Sequence, residues 1–156
     1  DTDRSRGLGD VYKRQALATA LAKSGFIAWI AKLIGTAVAA ADMGWVASFV
    51  LISLIYIYSH YCFASVTARI SAMYAAFVAV AAACGVPAML VAITFGCFAN
   101  LPISLTHYGN GCGPVYFGAG YVSQGEWWRN GFIITTINVV IWLTIGMAWW
   151  KFIGLY

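Results

Sequence analysis

This sequence predicts an all-α integral membrane architecture, on three observations. Of 156 residues, 62% are apolar and only 9% charged, with a mean hydropathy of +0.81, a balance that no ordinary water-soluble domain carries. The charges are unevenly spread: seven of the fourteen lie in the first fifteen residues, leaving Lys23, Lys32, Asp42, Arg69, Glu126, Arg129 and Lys151 for all the rest. Between these run uncharged stretches of 26 residues (Met43 to Ala68), 56 residues (Ile70 to Gly125) and 21 residues (Asn130 to Trp150). Roughly 20 apolar residues suffice to cross a bilayer as a helix. Disorder, collagen, coiled coil and a secreted disulfide scaffold are excluded.

The chain divides into residues 1–15, 16–42 and 43–156. Ser5 to Gln15 resembles the translation of a transposon-based sequencing adapter, so residues 1–15 are set aside as a sequencing-adapter or assembly scar. Without them the formal charge is +3, no basis for a nucleic-acid partner. Ala16 to Ala41 carries Lys23 and Lys32 with Gly25 and Gly35 as punctuation, which suits a helix end followed by a short interfacial helix. Asp42 is placed to cap the helix Gly44 to Tyr58, which ends in a run of uncharged polar residues: Tyr56, Tyr58, Ser59, His60, Tyr61, Cys62, Ser65 and Thr67.

Two breaks divide the 56-residue stretch, one at Gly85-Val86-Pro87 and one between Asn100 and Pro114. Irregular backbone in hydrocarbon leaves amides and carbonyls unpaired at several kcal/mol each, so it persists only where protein or a water-filled cavity supplies partners. Asn100 to Pro114 is therefore either a loop outside the membrane or the lining of a site within it. Its lack of charge favours the interior. In the last span, Trp127-Trp128 and Trp149-Trp150 stand about 33 Å apart on a helix, which predicts an indole pair at each water interface. Arg129 and Lys151 balance one another, so charge sets no orientation.

Material for catalysis is thin. His60 and His107 are the only histidines, and Asp42 and Glu126 the only carboxylates after the first fifteen residues. Cys62, Cys84, Cys97 and Cys112 form no paired metal-binding motif and read as free thiols. The run Gly109-Asn110-Gly111-Cys112-Gly113 has two readings. It is either a flexible turn, or a cradle whose amides face an anion while a half-helix starting near Pro114 points its positive end the same way. Arg69 is the only full charge between Asp42 and Glu126. Within the membrane it needs an anionic partner or water, and otherwise it reaches up to the interface.

Leu105-Thr106-His107-Tyr108-Gly109, Gly113-Pro114-Val115-Tyr116-Phe117-Gly118-Ala119-Gly120-Tyr121-Val122, Trp127-Trp128 and Trp149-Trp150-Lys151 together resemble the C-terminal end of the divalent anion:sodium symporter family. They are most similar to its branch of 2-oxoglutarate/malate translocators and citrate/succinate antiporters. The resemblance runs from about Ala16 to Tyr156, roughly the last third of such a protein. It implies an inverted-repeat elevator transporter, to which this chain contributes a re-entrant helical hairpin and a discontinuous helix.

By the same resemblance, the hairpin tip is Ser65-Val66-Thr67, standing where the family carries Ser-Asn-Thr, and Leu101-Pro102 to Thr106-His107 occupies the helix break. The implied substrates are di- or tricarboxylates of the 2-oxoglutarate, malate, succinate and citrate class. Ser65, Val66, Thr67, Thr106, His107, Gly109 and Gly111 would bind them, and Arg69 would compensate charge, His107 serving the same end when protonated. Losing the tip Asn removes an oxygen used near a sodium site, which favours anion exchange. Sodium-coupled symport, with the ion near Ser65 and Thr67, is the alternative. No other cofactor or metal is implied, and no chemistry on the substrate; a membrane-embedded enzyme using His60 and His107 is the rival from another class. The expected setting is a multi-pass inner (plasma) membrane protein, homodimeric at full length.

Overall fold

A turn at Ser24–Gly25 opens helix α1 (Phe26–Ala40), with Gly25 at φ +74°, a conformation that a side chain would strain. The computed structural model describes residues 16, 20, 24–41 and 44–156; the adapter-like residues 1–15, Lys23 and the expected cap Asp42 lie outside them. Gly35 does not interrupt the chain as its punctuation role predicts. It lies within α1, where a β-carbon would stand only 3.0 Å from Val80 Cγ1, so its role is close helix approach.

Helix α2 (Trp45–Tyr58) runs on through a 3-10 turn (Ser59–Cys62) to complete an 18-residue apolar stretch. Its buried positions, Ser48, Phe49, Ile52, Ser53, Tyr56 and Ile57, form one stripe at helical spacing. Phe63 is extended, and Ser65 then caps helix α3 (Val66–Ala83), so α2 and α3 make a hairpin with its tip at residues 63–65. Arg69, Met73, Phe77 and Ala81 give α3 a single buried row. Gly85 at φ +80° turns the chain, and Pro87 precedes helix α4 (Ala88–Phe98).

These three helices share an aromatic core. Tyr56 of α2 stacks on Phe95 of α4 at 4.7 Å between centroids and meets Phe77 of α3 at 5.7 Å. All three rings are buried. Tyr74 adds a hydrogen bond from its hydroxyl to the Ala92 carbonyl (2.9 Å) between α3 and α4.

After Phe98 helical geometry fails. A short 3-10 turn (Leu101–Ser104) and irregular chain lead to the single-turn helix α5 (Gly113–Gly118). The discontinuous helix is thus α4, a break of residues 99–112, and α5. Ser123 and Glu126 then form a reciprocal capping box that starts α6 (Gln124–Ile141): Ser123 N–H donates to Glu126 Oε2 (2.8 Å) and Glu126 N–H to Ser123 Oγ (3.4 Å). A π-helical turn at Trp142–Gly146 joins α6 to α7 (Met147–Phe152), giving one apolar rod of 29 residues. Its outward face carries Ile133, Ile134, Ile137, Val140, Ile141 and Ile145, the reverse of a soluble helix. The described residues include three helical stretches long and apolar enough to cross a membrane.

The tryptophan pairs do not both face outward. Trp149 is exposed, whereas Trp150 is buried against Trp142 at 5.6 Å. Trp128 lies under the break and Trp127 packs its ring on Phe117. Neighbouring helical residues point about 100° apart, so one member of a pair can face outward while the other packs inward.

The final rod measures depth. At about 1.5 Å per residue it is about 43 Å long. Phe98, where α4 ends, packs on Trp142, about 27 Å from the Gln124 end, while Tyr58 bonds to Thr136 (2.7 Å), about 18 Å from it. Ser104 meets Thr135 (3.3 Å), and His107 meets Trp128, about 6 Å from that end. Along the rod the break therefore runs from about 27 Å to about 6 Å from the Gln124 end.

Gly131 fits its backbone against the break so closely that a β-carbon would overlap the Ser104 carbonyl oxygen and sit 3.1 Å from Leu105 Cα. Both obstacles are main chain. Gly131→Ala is expected to destabilise the folded protein by about 1–3 kcal/mol. Gly118→Ala, where a β-carbon meets nothing, should be near neutral. Thermal unfolding of the purified variants checks the contrast.

Candidate functional site

The hairpin tip and the helix break meet, and the residue that joins them is Arg69. It is fully buried one turn beyond Ser65, whose carbonyl accepts its backbone N–H (3.1 Å). One terminal nitrogen donates to the Tyr56 carbonyl (2.8 Å), the other to the Ala99 (2.6 Å) and Phe98 (3.3 Å) carbonyls. Its Cζ lies 4.6 Å above the Tyr56 ring. The guanidinium is buried among the described residues. Its partners are carbonyl dipoles rather than a carboxylate, and two of them end α4, at the negative pole of that helix. Nε–H is left without a partner among the described residues.

At the tip, Ser65 is extended (φ −157°) and its hydroxyl accepts a long 3.4 Å bond from Ala68 N–H. Val66 opens α3, half-buried, and Thr67 is exposed beside it. Tip hydroxyls are thus near the surface of the described residues, directly preceding the buried guanidinium.

Across from them, Thr106 is fully buried in the break, its Oγ1 without a partner among the described residues. Tyr108 donates to the Tyr61 carbonyl (2.9 Å), a second tie between break and hairpin. His107 turns elsewhere: its ring stacks on Phe117 at 4.3 Å, and its Nδ1 accepts from the Trp128 indole (3.4 Å).

Two of the glycines have separate reasons. A β-carbon on Gly109 would overlap His60 Nε2 and stand 2.6 Å from Thr106 Oγ1, so Gly109 makes room for neighbours. Gly111 faces open space. Nor are the amides of this run all free to face an anion. Asn110 Oδ1 accepts from Cys112 N–H (2.9 Å) and Gly113 N–H (2.5 Å), while its Nδ2 donates to the Ile103 carbonyl (3.0 Å). Gly109 N–H donates weakly to the Thr106 carbonyl at 3.4 Å. Asn110 as organiser of the break was not singled out from the sequence, although Asn between glycines is a recognisable turn signal. The matching of His60 with Gly109 had no sequence signal, because it spans distant segments.

Among the described residues no group of three or more His, Cys, Asp or Glu side chains gathers, and the four cysteines are free. A groove of about 470 Å³ lies apart from this junction, between α1 and α3, lined by Ala28, Ala31, Lys32, Gly35, Ala79 and Ala83 among others. It is largely apolar, and no residue of the hairpin tip or the helix break lines it.

With this geometry in place, comparison with known proteins adds the following. A family profile described as the sodium:sulfate symporter transmembrane region matches residues 12–156. The chain is 45% identical over 141 residues to "Dicarboxylate transporter 1, chloroplastic" of Spinacia oleracea, covering 90% of this chain and 25% of that protein. It is 44% identical over 140 residues to "Putative malate transporter YflS" of Bacillus subtilis (strain 168), covering 90% and 29%. With "Inner membrane protein YbhI" of Escherichia coli (strain K12) it shares 36% identity over 135 residues, covering 86% and 28%. The chain thus spans between about a quarter and three-tenths of the length of these relatives.

Replacing Arg69 by Leu removes the side-chain donor to the Phe98 and Ala99 carbonyls and one of two to the Tyr56 carbonyl, which keeps Ser59 Oγ (2.7 Å). Each hydrogen bond to a charged group contributes about 1.5–3 kcal/mol, so Arg69→Leu is expected to lose several kcal/mol of stability. Arg69→Lys should recover part of it, since one ammonium cannot reproduce the planar fork. Melting of the detergent-solubilised protein, followed by size-exclusion fluorescence, checks the ranking.

Proposed function

Because this chain belongs to the sodium:sulfate symporter transmembrane family, the divalent anion:sodium symporters, we propose that it forms the C-terminal part of a carrier for di- or tricarboxylates of the 2-oxoglutarate, malate, succinate and citrate class. The observation that carries this reading is the convergence of the hairpin tip and the helix break at a polar junction inside an otherwise apolar molecule. Contacts of these two elements with the final rod lie between about 6 and about 27 Å from one end of its length of about 43 Å, which supports a site within a hydrocarbon core of about 30 Å. The names of the spinach and Bacillus subtilis relatives support the substrate class.

In this reading Ser65 and Thr67 donate hydroxyl hydrogen bonds to one carboxylate, with the Val66 amide beside them, and Thr106 donates from the break. The main chain at Gly109 and Gly111 adds polarity, and His107 borders the site. Arg69 acts through its charge. Held by carbonyls next to the tip, it lowers the cost of bringing a dianion into a low-dielectric interior. A fixed positive charge supports exchange of one dianion for another over sodium-coupled symport. The name of the Escherichia coli relative supports an inner-membrane setting, and full-length carriers of this kind are proposed to act as homodimers.

Counterflow in proteoliposomes of the full-length carrier separates the two modes. Malate uptake should depend on internal dicarboxylate and change less than about twofold when sodium replaces potassium. Uptake that rises steeply with sodium and ignores internal substrate refutes exchange. Ser65→Ala and Thr106→Ala should each raise the KM for malate about tenfold, the equivalent of one lost hydrogen bond of about 1.4 kcal/mol. Thiol labelling across Ser59 to Pro114 should be slowed by added malate. Labelling indifferent to substrate counts against the site.

A further inference from the structure

His60 is fully buried in the 3-10 turn just before the hairpin tip, and neither ring nitrogen has a hydrogen-bond partner among the described residues. Thr106 Oγ1, on a separate segment, is buried and unpartnered as well. The two groups crowd one point. A β-carbon built on Gly109 would lie 2.6 Å from Thr106 Oγ1 and 3.0 Å from His60 Cε1, and would overlap His60 Nε2. Burying such groups unmatched is costly, and two of them beside one glycine with no hydrogen bond between them call for a further partner.

We propose that His60 is a positioning residue for transport. With substrate bound, His60 as the Nε2–H tautomer donates to Thr106 Oγ1, a bond not made in this structure, and so turns the threonine O–H toward the substrate carboxylate. A hydroxyl accepts and donates at once, and accepting from the imidazole strengthens it as a donor. The carboxylate closes the chain of hydrogen bonds; without it the hydroxyl proton has no acceptor. Gly109 allows the approach because any side chain there would push the two groups apart. Arg69 serves the same junction but through main-chain carbonyls, leaving the hydroxyl to His60. This inference rests on reading Thr106 as a carboxylate contact.

The test compares malate KM and maximal rate in proteoliposomes of the full-length carrier for His60→Phe, His60→Gln, Thr106→Ala and the His60→Phe/Thr106→Ala double variant. Phe fills the volume without a donor, whereas the Gln amide places one close to Nε2. The expected result is a KM raised about tenfold in His60→Phe and in Thr106→Ala, with maximal rates within about twofold. His60→Gln should stay within about threefold of the parent, and the double variant should be no weaker than Thr106→Ala alone. Additive losses, or a His60→Phe carrier with the parent KM, overturn the positioning role. An unchanged KM in Thr106→Ala instead overturns the site reading on which it stands. Should His60→Phe fail to fold, Gly109→Ala displaces the same two atoms, and an unchanged KM there is equally fatal.

Discussion

A helix that stops inside an apolar molecule leaves main-chain carbonyls and amides that water cannot reach, and the rest of this structure answers that one constraint. The interruption after Phe98 frees carbonyls at the end of α4, and Arg69 reaches across from α3 to bind two of them. Farther along, Asn110 takes up the amides of Cys112 and Gly113 and the carbonyl of Ile103. One charged side chain at the buried start of the break and one neutral side chain at its more exposed end therefore take up the main-chain groups that the irregular stretch frees.

The same satisfaction builds the junction. Arg69 can serve the end of α4 only if the hairpin tip lies against it, so the guanidinium fixes the relation of the two elements that would hold a substrate. The aromatic stack of Tyr56, Phe77 and Phe95 holds α2, α3 and α4 in register beneath it. The absence of side chains at Gly131 and Gly109 lets the final rod meet the main chain of the break and lets His60 of the hairpin meet Thr106 within it. In the proposed carrier, a carboxylate would meet hydroxyls whose scaffold is already locked by bonds it does not share.

Much of this was legible in the residues. Apolar length marked the spanning segments, Gly85-Val86-Pro87 marked a turn, and the cluster from Asn100 to Pro114 marked a discontinuity that the structure contains. The motifs from Leu105 to Val122 pointed to the family that the profile match supports. One reading needed correction: Gly35 looked like a stop and is a helix contact. Trp128 and Trp150, expected near the water interfaces, pack on His107 and Trp142. Composition identifies such residues, but which way each faces depends on neighbours far away in the chain.

Sequence alone determined the medium and the punctuation: apolar runs long enough for a bilayer, and Gly, Pro and Asn where a helix has to fail. Both are local properties, set by transfer free energy and by the conformations a residue allows. Tertiary structure alone decided that Arg69 pairs with carbonyls and that His60 and Thr106 share the space left by Gly109. Those outcomes depend on which distant group fills a buried vacancy, and spacing along a chain carries no record of that.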